Sequence, residues 1–187
     1  MKLDSPGPVL FRQKRVGKGK TLFSILKFRT MYADTPKDVP THLLQNPEAM
    51  ITRSGRFLRR TSLDELPQLF NILKGDMSFV GPRPELLLYT TQYTKEQECI
   101  LWVRPGITDR SSIVYIAQDE IVGTENPVEN FEKYILPEKN RLRVEYALHQ
   151  SFPLDVELFF ETIGGVFGKA KKMADEKHEQ GAKEPQK

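Results

Sequence analysis

The sequence predicts an α+β fold, mainly helical, with an N-terminal β-hairpin and short strands. Two observations predict it: half-apolar runs flank a glycine-bearing turn near the N-terminus, and apolar residues recur at helical spacing in later segments. The 187 residues suit one main domain with enough chain to bury a core. We expect a single domain over residues 1–168, followed by a charged tail, 169–187, that carries too few apolar residues to pack.

The composition is that of an ordinary globular protein. Apolar residues make up 39% and charged residues 28% of the chain, and the net charge of +3 is too small to indicate nucleic-acid binding by itself. Cys99, the single cysteine, excludes an internal disulfide and is typical of a small buried side chain. Because no apolar run approaches the roughly 20 residues of a spanning helix, we expect a cytosolic or membrane-peripheral protein.

The segment "PVLFRQKRVGKGKTLFSILKFRTM" predicts the hairpin. Its strands cover Val9–Arg15 and Thr21–Arg29, and Gly17 and Gly19 form the turn. Five basic side chains crowd around this turn without an acidic partner: Arg12, Lys14, Arg15, Lys18 and Lys20. Two interpretations stay open, a solvated hairpin tip and a surface that faces anionic lipid headgroups.

A proline-rich stretch and an arginine cluster follow. Tyr32–Met50 carries three prolines among polar residues, which predicts a loop that is either idle or a substrate lid. "SGRFLRR" then spaces Arg56, Arg59 and Arg60 at helical intervals, so that they share one face. Such a face suits phosphate, because the planar guanidinium fork matches phosphate oxygens bidentately.

Two adjacent carboxylates, Asp64 and Glu65, stand in "RRTSLDELPQLFNILKGD". Pro67 is tolerated only near a helix start, so the helix that carries Leu66 begins close to Asp64. One interpretation is structural, since "SLDE" matches a Ser-x-x-Glu capping box and acids stabilise a first turn. The other is chemical, since the same helix dipole keeps Asp64 ionised for attack on phosphorus.

Two later loops present arginines. In "GPRP", Pro82 and Pro84 hold the backbone around Arg83 extended, so Arg83 loses less entropy when it meets a phosphate; a simple turn before a helix is the alternative. "WVRPGIT" presents Arg104 in another proline-glycine loop, and the "SSIVYIA" that follows shortly predicts a short strand.

The C-terminal part predicts two helices. Glu129–His149 is polar and helical in character. "LDVELFFETIGGVFGK" is amphipathic, with a face that packs either on the core or on a membrane. Its apolar positions are Leu154, Leu158, Phe159, Val166 and Phe167.

The acid pair, the arginines and the lack of a His or Cys metal cage in the sequence indicate oxyanion substrates. A divalent cation would then be shared between carboxylate and phosphate oxygens. His42, His149 and His178 are scattered without a serine or cysteine motif, so a hydrolase triad gains no support.

Three long motifs resemble one known family. "SPGPVLFRQKRVGKGKTLFSILKFRTM", "GRFLRRTSLDELPQLFNILKGDMSFVGPRPE" and "VRPGIT" are similar, in order and spacing, to the bacterial sugar transferases, which are monotopic phosphoglycosyl transferases. The resemblance covers Asp4–Ala117 and extends more weakly to Phe167. It implies transfer of a sugar phosphate from a UDP-sugar to polyprenyl (undecaprenyl) phosphate through a covalent aspartyl intermediate, with release of UMP. That step starts exopolysaccharide, capsule, O-antigen or related glycan synthesis at the cytoplasmic face of the bacterial inner membrane.

The resemblance also implies roles for individual residues. Asp64 is the nucleophile, and Glu65 assists by binding Mg²⁺ or by handling the proton of the incoming phosphate, so both acids are expected at the metal. Four basic residues match positions that bind the substrate phosphates: Lys27, Arg59, Arg83 and Arg104.

Two departures from the family stand out. Relatives usually carry a long apolar helix just before "SPGP", where this chain has only "MKLD". Three explanations for the missing helix stay open: a truncation or misassigned start, a paired protein that supplies the membrane element, or a degenerate homologue. The second departure, "GITDRSSIVY" in place of a Gly-aromatic-Ala-Gln run after "GIT", leaves the preferred sugar and nucleotide open.

Two other classes compete with the enzyme. A catalytically silent membrane-surface scaffold does not need the acid pair, yet Asp64 and Glu65 are intact. A nucleic-acid binder needs the arginines, but it explains neither the buried-looking "LDELPQLF" nor the rigid "GPRP". The sequence identifies neither the sugar, the polyprenyl length, the pathway nor the oligomeric state.

Overall fold

The computed structural model describes residues 1–2, 4–37, 39, 44, 46–115, 126–165 and 168. Over these residues the chain forms two small two-stranded sheets, several short helical segments and two longer helices towards the C-terminus. This confirms the predicted α+β class. The expected tail, 169–187, lies outside the described residues.

The predicted N-terminal hairpin is present. Strand β1, Leu10–Val16, pairs antiparallel with β2, Leu22–Phe28, and a 3₁₀ turn at Lys18–Lys20 joins them. Because side chains alternate along a strand, Lys27 shares a face of the sheet with the buried Ile25. The hairpin therefore carries a lysine towards the interior of the protein.

The basic side chains of the hairpin are not all unpaired, which corrects the sequence-based expectation. Lys20 Nζ lies 2.8 Å from a carboxylate oxygen of Glu98, and Arg15 Nη1 lies 3.8 Å from one of Glu85. Both acids are distant in sequence, so the local pattern did not show them. The other three basic side chains, Arg12, Lys14 and Lys18, are exposed and make no salt bridge with any residue that the structure describes.

Helix α1, Arg53–Arg60, packs unusually close to the end of β2. Thr52 caps it, with its hydroxyl oxygen accepting a hydrogen bond from the Gly55 backbone N–H at 3.0 Å. A Cβ atom added at Gly55 would lie 1.9 Å from the Thr30 carbonyl oxygen. Only glycine allows this approach, which sets the position of the whole helix.

The acidic segment is a 3₁₀ helix, Leu63–Gln68, that continues into a short α2, Leu69–Leu73. The capping box expected at "SLDE" is not formed. Ser62 has a left-handed φ of 56°, outside the extended region that an N-cap residue adopts, and its side chain makes no capping hydrogen bond. The side chain of Glu65 is thereby available for other partners.

Asn71 fastens α2 to the hairpin. Its amide nitrogen donates to the Ser24 carbonyl at 2.8 Å, and its amide oxygen accepts from the Leu26 N–H at 3.0 Å. The side chain is 1% exposed and satisfies backbone groups at the free edge of β2. The acid-bearing turn is therefore held next to β2.

A second sheet pairs β3, Ser78–Val80, with β4, Gly106–Thr108, in parallel. Beyond β3 the backbones nearly touch, since a Cβ at Gly106 would lie 2.2 Å from the Gly81 nitrogen. The Gly106 N–H also donates to the Pro82 carbonyl at 3.1 Å. The "GPRP" loop thus lies directly against "RPGIT". Between the two strands lie α3, Leu87–Thr90, and a 3₁₀ helix, Gln97–Trp102.

The strand predicted for "SSIVYIA" is wrong, because its described part lies mostly in helix α4, Arg110–Val114. Residues 116–117 of this segment lie outside the described residues. Asp109 caps this helix, with its carboxylate accepting from the Ser112 N–H and from the Ser111 hydroxyl at 2.8 Å. This cap outweighs the strand preference of the β-branched Ile113 and Val114.

The C-terminal helices confirm the helical interpretation of 129–149 and 154–165. Helix α5 covers Pro127–Asn130 and is followed by a π-helical turn at Phe131–Ile135. Helix α6 covers Leu136–His149, and α7 covers 152–165. Leu158 of α7 is 1% exposed and packs with Val80, Val103 and Tyr146. Val166 and Phe167 lie outside the described residues. Within the described residues, no helix combines the length and apolarity needed to span a bilayer.

A run of large apolar side chains is exposed, although the sequence suggested that "LDELPQLF" is buried. We call these residues the 57–73 apolar surface: Phe57, Leu63, Leu66, Leu69, Phe70 and Leu73, with exposures from 37% to 83%. The α7 helix also exposes Phe152 and Phe160. Exposed apolar patches of this kind mark interaction surfaces.

The close approach at Gly55 yields a stability prediction. We expect Gly55→Ala to lower the free energy of unfolding by about 2 kcal/mol or more, because its methyl group overlaps the Thr30 carbonyl. Gly164→Ala is the matched control, since nothing lies within 4 Å of its added Cβ and alanine favours a helix by up to about 1 kcal/mol. Urea denaturation of both variants measures the difference, and equal stabilities would contradict the packing described for α1.

Candidate active site

A cleft of about 530 Å³ opens beside the inner face of the hairpin. Its volume lies within the range of small-molecule sites. The described lining holds two acids, Asp64 and Glu65, and seven basic side chains: Arg15, Lys27, Arg29, Lys37, Arg59, Arg83 and Lys139. Cations in such excess raise the local concentration of anionic ligands.

Glu65 is surrounded by donors. Its Oε1 lies 3.1 Å from Lys27 Nζ, and Arg83 donates to both carboxylate oxygens, to Oε2 at 3.1 Å and to Oε1 at closer range. Gln68 donates to Oε2 at 3.1 Å. Burial by itself raises the pKa of Glu65, but the charges and hydrogen bonds of Arg83 and Lys27 lower it well below the ordinary range. Glu65 is therefore ionised at neutral pH and anchors two cations.

Asp64 has the opposite environment. It lines the cleft, is partly buried, and accepts no hydrogen bond from any residue that the structure describes. Burial raises its pKa, an effect that the charge of Lys27 opposes. The expected helix dipole contributes little at Asp64, because its segment is a short 3₁₀ turn, and desolvation raises the pKa of Asp64. Asp64 is thus the more basic of the two acids, and no donor among the described residues occupies its oxygens.

Arg83 is held from behind, as the rigidity of "GPRP" suggests. Its backbone N–H donates to Asp109 Oδ2 at 2.9 Å. Asp109 is 2% exposed and also lies 3.4 Å from Arg143 Nε, and Arg143 Nη2 lies 2.9 Å from Glu85. This buried network fixes the backbone that presents the Arg83 guanidinium to Glu65.

Three of the four basic residues assigned to substrate phosphates line the cleft: Lys27, Arg59 and Arg83. Arg59 Nε donates to the Thr30 hydroxyl at 2.9 Å, which orients its guanidinium. Arg56 and Arg60 are exposed and do not line the cleft, so only one arginine of the predicted cluster of three, Arg59, reaches it. Arg104 is also exposed, donates to the Gly75 carbonyl at 3.0 Å, and is not brought to the cleft.

The predicted Tyr32–Met50 loop runs along the cleft. Its described lining residues include Tyr32, Thr35, Lys37, Val39 and Leu44. Lys37 is tied to the hairpin through its carbonyl, which accepts from the Gln13 amide at 2.5 Å. The loop is therefore part of the wall of the site.

A family model described as bacterial sugar transferase matches residues 1–169. The chain belongs to the bacterial sugar transferase family.

Three curated relatives illustrate what this chain is similar to. A UDP-N-acetylgalactosamine-undecaprenyl-phosphate N-acetylgalactosaminephosphotransferase of Aeromonas hydrophila is 39% identical over 166 residues, which cover 87% of this chain and 36% of the relative. A UDP-glucose:undecaprenyl-phosphate glucose-1-phosphate transferase of Escherichia coli (strain K12) is 38% identical over 166 residues, 87% of this chain and 33% of the relative. A putative undecaprenyl-phosphate N-acetylgalactosaminyl 1-phosphate transferase of Bacillus subtilis (strain 168) is 45% identical over 108 residues, 58% of this chain and 56% of the relative. The chain thus spans about a third to a little over half of the length of these three relatives.

Sequence reasoning missed the buried cations on α6. Lys139 and Arg143 are buried on the same face as Leu142 and Tyr146, at spacings of three and four residues. Basic residues on the core-facing stripe of an amphipathic helix are the signal that would have found them. Arg143 braces the loop of Arg83, and Lys139 lines the cleft.

Of the two predicted Mg²⁺ ligands, Asp64 and Glu65, only Asp64 has carboxylate oxygens that suit the ion. Among the described residues, no group of three or more His, Cys, Asp or Glu side chains is arranged to hold a metal. Both oxygens of Glu65 accept hydrogen bonds, whereas no residue in the described part of the chain donates to Asp64. Mg²⁺ commonly binds one or two carboxylates together with substrate phosphates. Asp64 and phosphate oxygens therefore suit the ion, whereas Glu65 does not because its oxygens already accept hydrogen bonds.

The Glu65 cluster yields a prediction about pH. A carboxylate with a lowered folded pKa stabilises the protein above its ordinary pKa, and this contribution is lost as the pH falls towards the folded value. We expect Glu65→Gln to cost about 3 kcal/mol at pH 7, because Lys27 and Arg83 lose their partner, and to cost less as the pH drops below about 4.

Urea denaturation at pH 7, 5 and 3.5 checks this expectation, with the exposed Glu157→Gln as control. A stability difference between wild type and Glu65→Gln that stays constant from pH 7 to 3.5 would show that Glu65 is not a buried, ion-paired anchor.

Proposed function

We propose that this sugar transferase moves a sugar phosphate from a UDP-sugar to a polyprenyl phosphate and releases UMP. One observation carries the proposal: within a basic cleft, Asp64 lacks described hydrogen-bond donors while its neighbour Glu65 is anchored by two cations. A reacting carboxylate needs free oxygens and nearby cations. The relatives include undecaprenyl-phosphate sugar-phosphate transferases, which supports the same substrates here.

In the first step, a carboxylate oxygen of Asp64 attacks the phosphorus that bears the sugar. The bond between that phosphorus and the oxygen of the UMP phosphate breaks, and UMP leaves with the electron pair. No proton moves in this exchange. Lys27, Arg59 and Arg83 lower the barrier because their charges offset the negative charge of the phosphoryl oxygens as the anionic nucleophile approaches.

In the second step, an oxygen of the polyprenyl phosphate attacks the same phosphorus. The bond from phosphorus to Asp64 breaks, which restores the carboxylate and leaves a polyprenyl diphosphate sugar. Of the two roles implied for Glu65, its lowered pKa disfavours proton transfer, because a weakly basic carboxylate is a poor acceptor. Glu65 acts instead as a positioning residue for Lys27 and Arg83.

Mg²⁺ is part of the proposal as a cofactor. When bound, it neutralises phosphate charge and assists the departure of UMP. Asp64 would hold it together with phosphate oxygens. Glu65 keeps its two cations in place whether or not the metal is present.

We also propose that the protein works at the inner-leaflet membrane surface, where a polyprenyl phosphate resides. The 57–73 apolar surface and the exposed Arg12, Lys14 and Lys18 support this location, since apolar and basic groups together favour anionic lipid surfaces. The same surfaces would serve a catalytically silent scaffold, which is the second candidate. Turnover by the acid pair separates the two.

The reaction predicts Mg²⁺-dependent release of UMP from a UDP-sugar when a polyprenyl phosphate is present in detergent. We expect Asp64→Asn to abolish release, because the amide keeps the shape but cannot attack phosphorus. Glu65→Gln should slow release by about a hundredfold or more, because two phosphate-binding cations lose their anchor. Chelation by EDTA should stop release reversibly.

Glu157→Gln is the control for folding and handling. Release across a panel of UDP-sugars separates the enzyme from the scaffold. If neither this chain nor a version extended with an N-terminal apolar helix releases UMP, the scaffold is the better explanation. A fully active Asp64→Asn would instead refute Asp64 as the nucleophile.

The proposed location predicts salt-sensitive binding to anionic vesicles. Each basic residue near an anionic surface contributes about 1 kcal/mol, so the triple change of Arg12, Lys14 and Lys18 to glutamate should weaken binding at least a hundredfold at low salt. Lys133→Glu is the control, an exposed lysine on another part of the fold. Equal sedimentation of wild type with neutral and anionic vesicles would contradict the electrostatic part of the proposal.

A further inference from the structure

Arg15 is a cation of the cleft that the proposed reaction does not use. Side chains alternate along β1, so Arg15 shares one face of the hairpin with Gln13, and both residues line the cleft. Arg12 and Lys14 lie on the opposite face and are exposed. The same strand therefore carries exposed basic residues on one side and a basic residue of the cleft wall on the other.

Three neighbouring groups contact the Arg15 guanidinium. Nη2 donates to the Gln13 amide oxygen at 2.6 Å, and Nη1 donates to the Pro84 carbonyl oxygen at 3.3 Å. Glu85 Oε2 lies 3.8 Å from Nη1, but the other oxygen of Glu85 lies 2.9 Å from Arg143 Nη2. Two neutral acceptors and one shared carboxylate leave the positive charge of Arg15 only partly balanced.

The Nε–H group of Arg15 is buried and has no hydrogen-bond partner among the residues that the structure describes. A buried donor without an acceptor is costly, because the lost hydration is not replaced. Other arginines of the cleft differ: Arg59 Nε donates to the Thr30 hydroxyl at 2.9 Å, and Arg29 Nη2 donates to the Ser5 carbonyl at 2.8 Å. Arg15 therefore has a specific use for one more acceptor.

The electrostatic surroundings of Arg15 also favour an added anion. Burial lowers the pKa of its guanidinium and Arg83 adds to this effect, whereas the charges of Glu85 and Glu65 oppose it. The guanidinium is nevertheless protonated at neutral pH. An anion that reaches Arg15 would offset the unfavourable burial of this charge.

The geometry of the guanidinium suits a phosphate. Nε and Nη2 form one edge of its plane, and such an edge matches two phosphate oxygens. Because Nε is buried, the side chain has to turn from Gln13 and Pro84 towards the cleft to offer this edge. Both of these partners are neutral acceptors, and a hydrogen bond from a guanidinium to an anionic phosphate is stronger.

The substrates bring more negative charge than the Glu65 cluster can balance. Lys27 and Arg83 are both bonded to Glu65, so part of their charge is already offset. A UDP-sugar brings two phosphates, and the acceptor brings another. We propose that Arg15 is a further phosphate-binding residue of the cleft, which holds a substrate phosphate through its Nε and Nη2 edge.

The identity of the substrates in this inference rests on the proposed function, but the chemistry that Arg15 recognises is a phosphate group. The diphosphate of the donor supplies such a group, and so does the headgroup of the polyprenyl phosphate. Measuring the binding of each ligand alone separates the two sources.

In the first arm, calorimetry measures UDP binding to the full chain at pH 7. We expect Arg15→Met to weaken UDP binding about tenfold, the effect of one lost charge-assisted hydrogen bond. Arg15→Lys keeps the charge without the planar edge, so its affinity should lie between those of Arg15→Met and wild type. Arg53→Met is the matched control, because it removes the same charge from an exposed position that does not line the cleft.

In the second arm, the same proteins bind a short-chain polyprenyl phosphate in detergent. A loss confined to this arm assigns Arg15 to the acceptor, and a loss confined to UDP assigns it to the donor. Unchanged affinity of Arg15→Met for both ligands overturns the inference.

NMR of the wild-type protein tests the hydrogen bond itself and does not depend on a variant that folds. The Nε–H resonance of Arg15 should move downfield when UDP or the polyprenyl phosphate is added, because a phosphate oxygen becomes its acceptor. If Arg15 only braces the "GPRP" loop through Pro84, the resonance stays in place. Absence of a shift with both ligands therefore overturns the inference, even where Arg15→Met weakens binding.

Failure of the proposed function gives a different pattern. A wild-type protein that releases no UMP from any UDP-sugar, yet binds UDP in a way that depends on Arg15, refutes the reaction and retains the phosphate-binding role. A protein that releases UMP but whose UDP and acceptor affinities ignore Arg15 retains the reaction and refutes that role.

Discussion

The ion cluster around Glu65 is the constraint on which the rest of the site depends. Glu65 lies in the 3₁₀ turn, Lys27 on β2, and Arg83 in the loop after β3, and one carboxylate joins all three. Each of these segments is secured independently, by Asn71 at the edge of β2 and by Asp109 behind Arg83. The fold thereby gathers charges that would repel one another without the central acid.

This arrangement divides the labour between two adjacent acids. Because Glu65 takes up the donors, Asp64 is left with free oxygens and a raised pKa beside the same cations. Both acids line the same cleft, and their surroundings push their pKa values apart, as the proposed roles of anchor and nucleophile require. The close approach of Gly55 to Thr30 extends the same logic to Arg59, whose guanidinium is oriented by the Thr30 hydroxyl.

Local patterns predicted the parts that depend on local chemistry. The hairpin, the C-terminal helices and the rigid presentation of Arg83 follow from alternation, helical spacing and proline geometry. The predicted capping box does not form because Ser62 has a left-handed backbone conformation. The predicted strand at "SSIVYIA" is a helix because the Asp109 cap outweighs the strand propensity of the segment. The Lys20–Glu98 pair and the position of Arg104 depend on contacts between distant segments, which no local pattern contains.

Locating the covalent intermediate tests the central claim most directly. The full chain is incubated with a labelled UDP-sugar without acceptor, quenched, digested and analysed by mass spectrometry. Asp64 is predicted to carry the sugar phosphate in wild type and in Glu65→Gln, and no adduct is predicted in Asp64→Asn. A protein that releases UMP in the presence of acceptor but carries the sugar phosphate on Glu65, or carries none at all, would contradict the division of labour between the two acids.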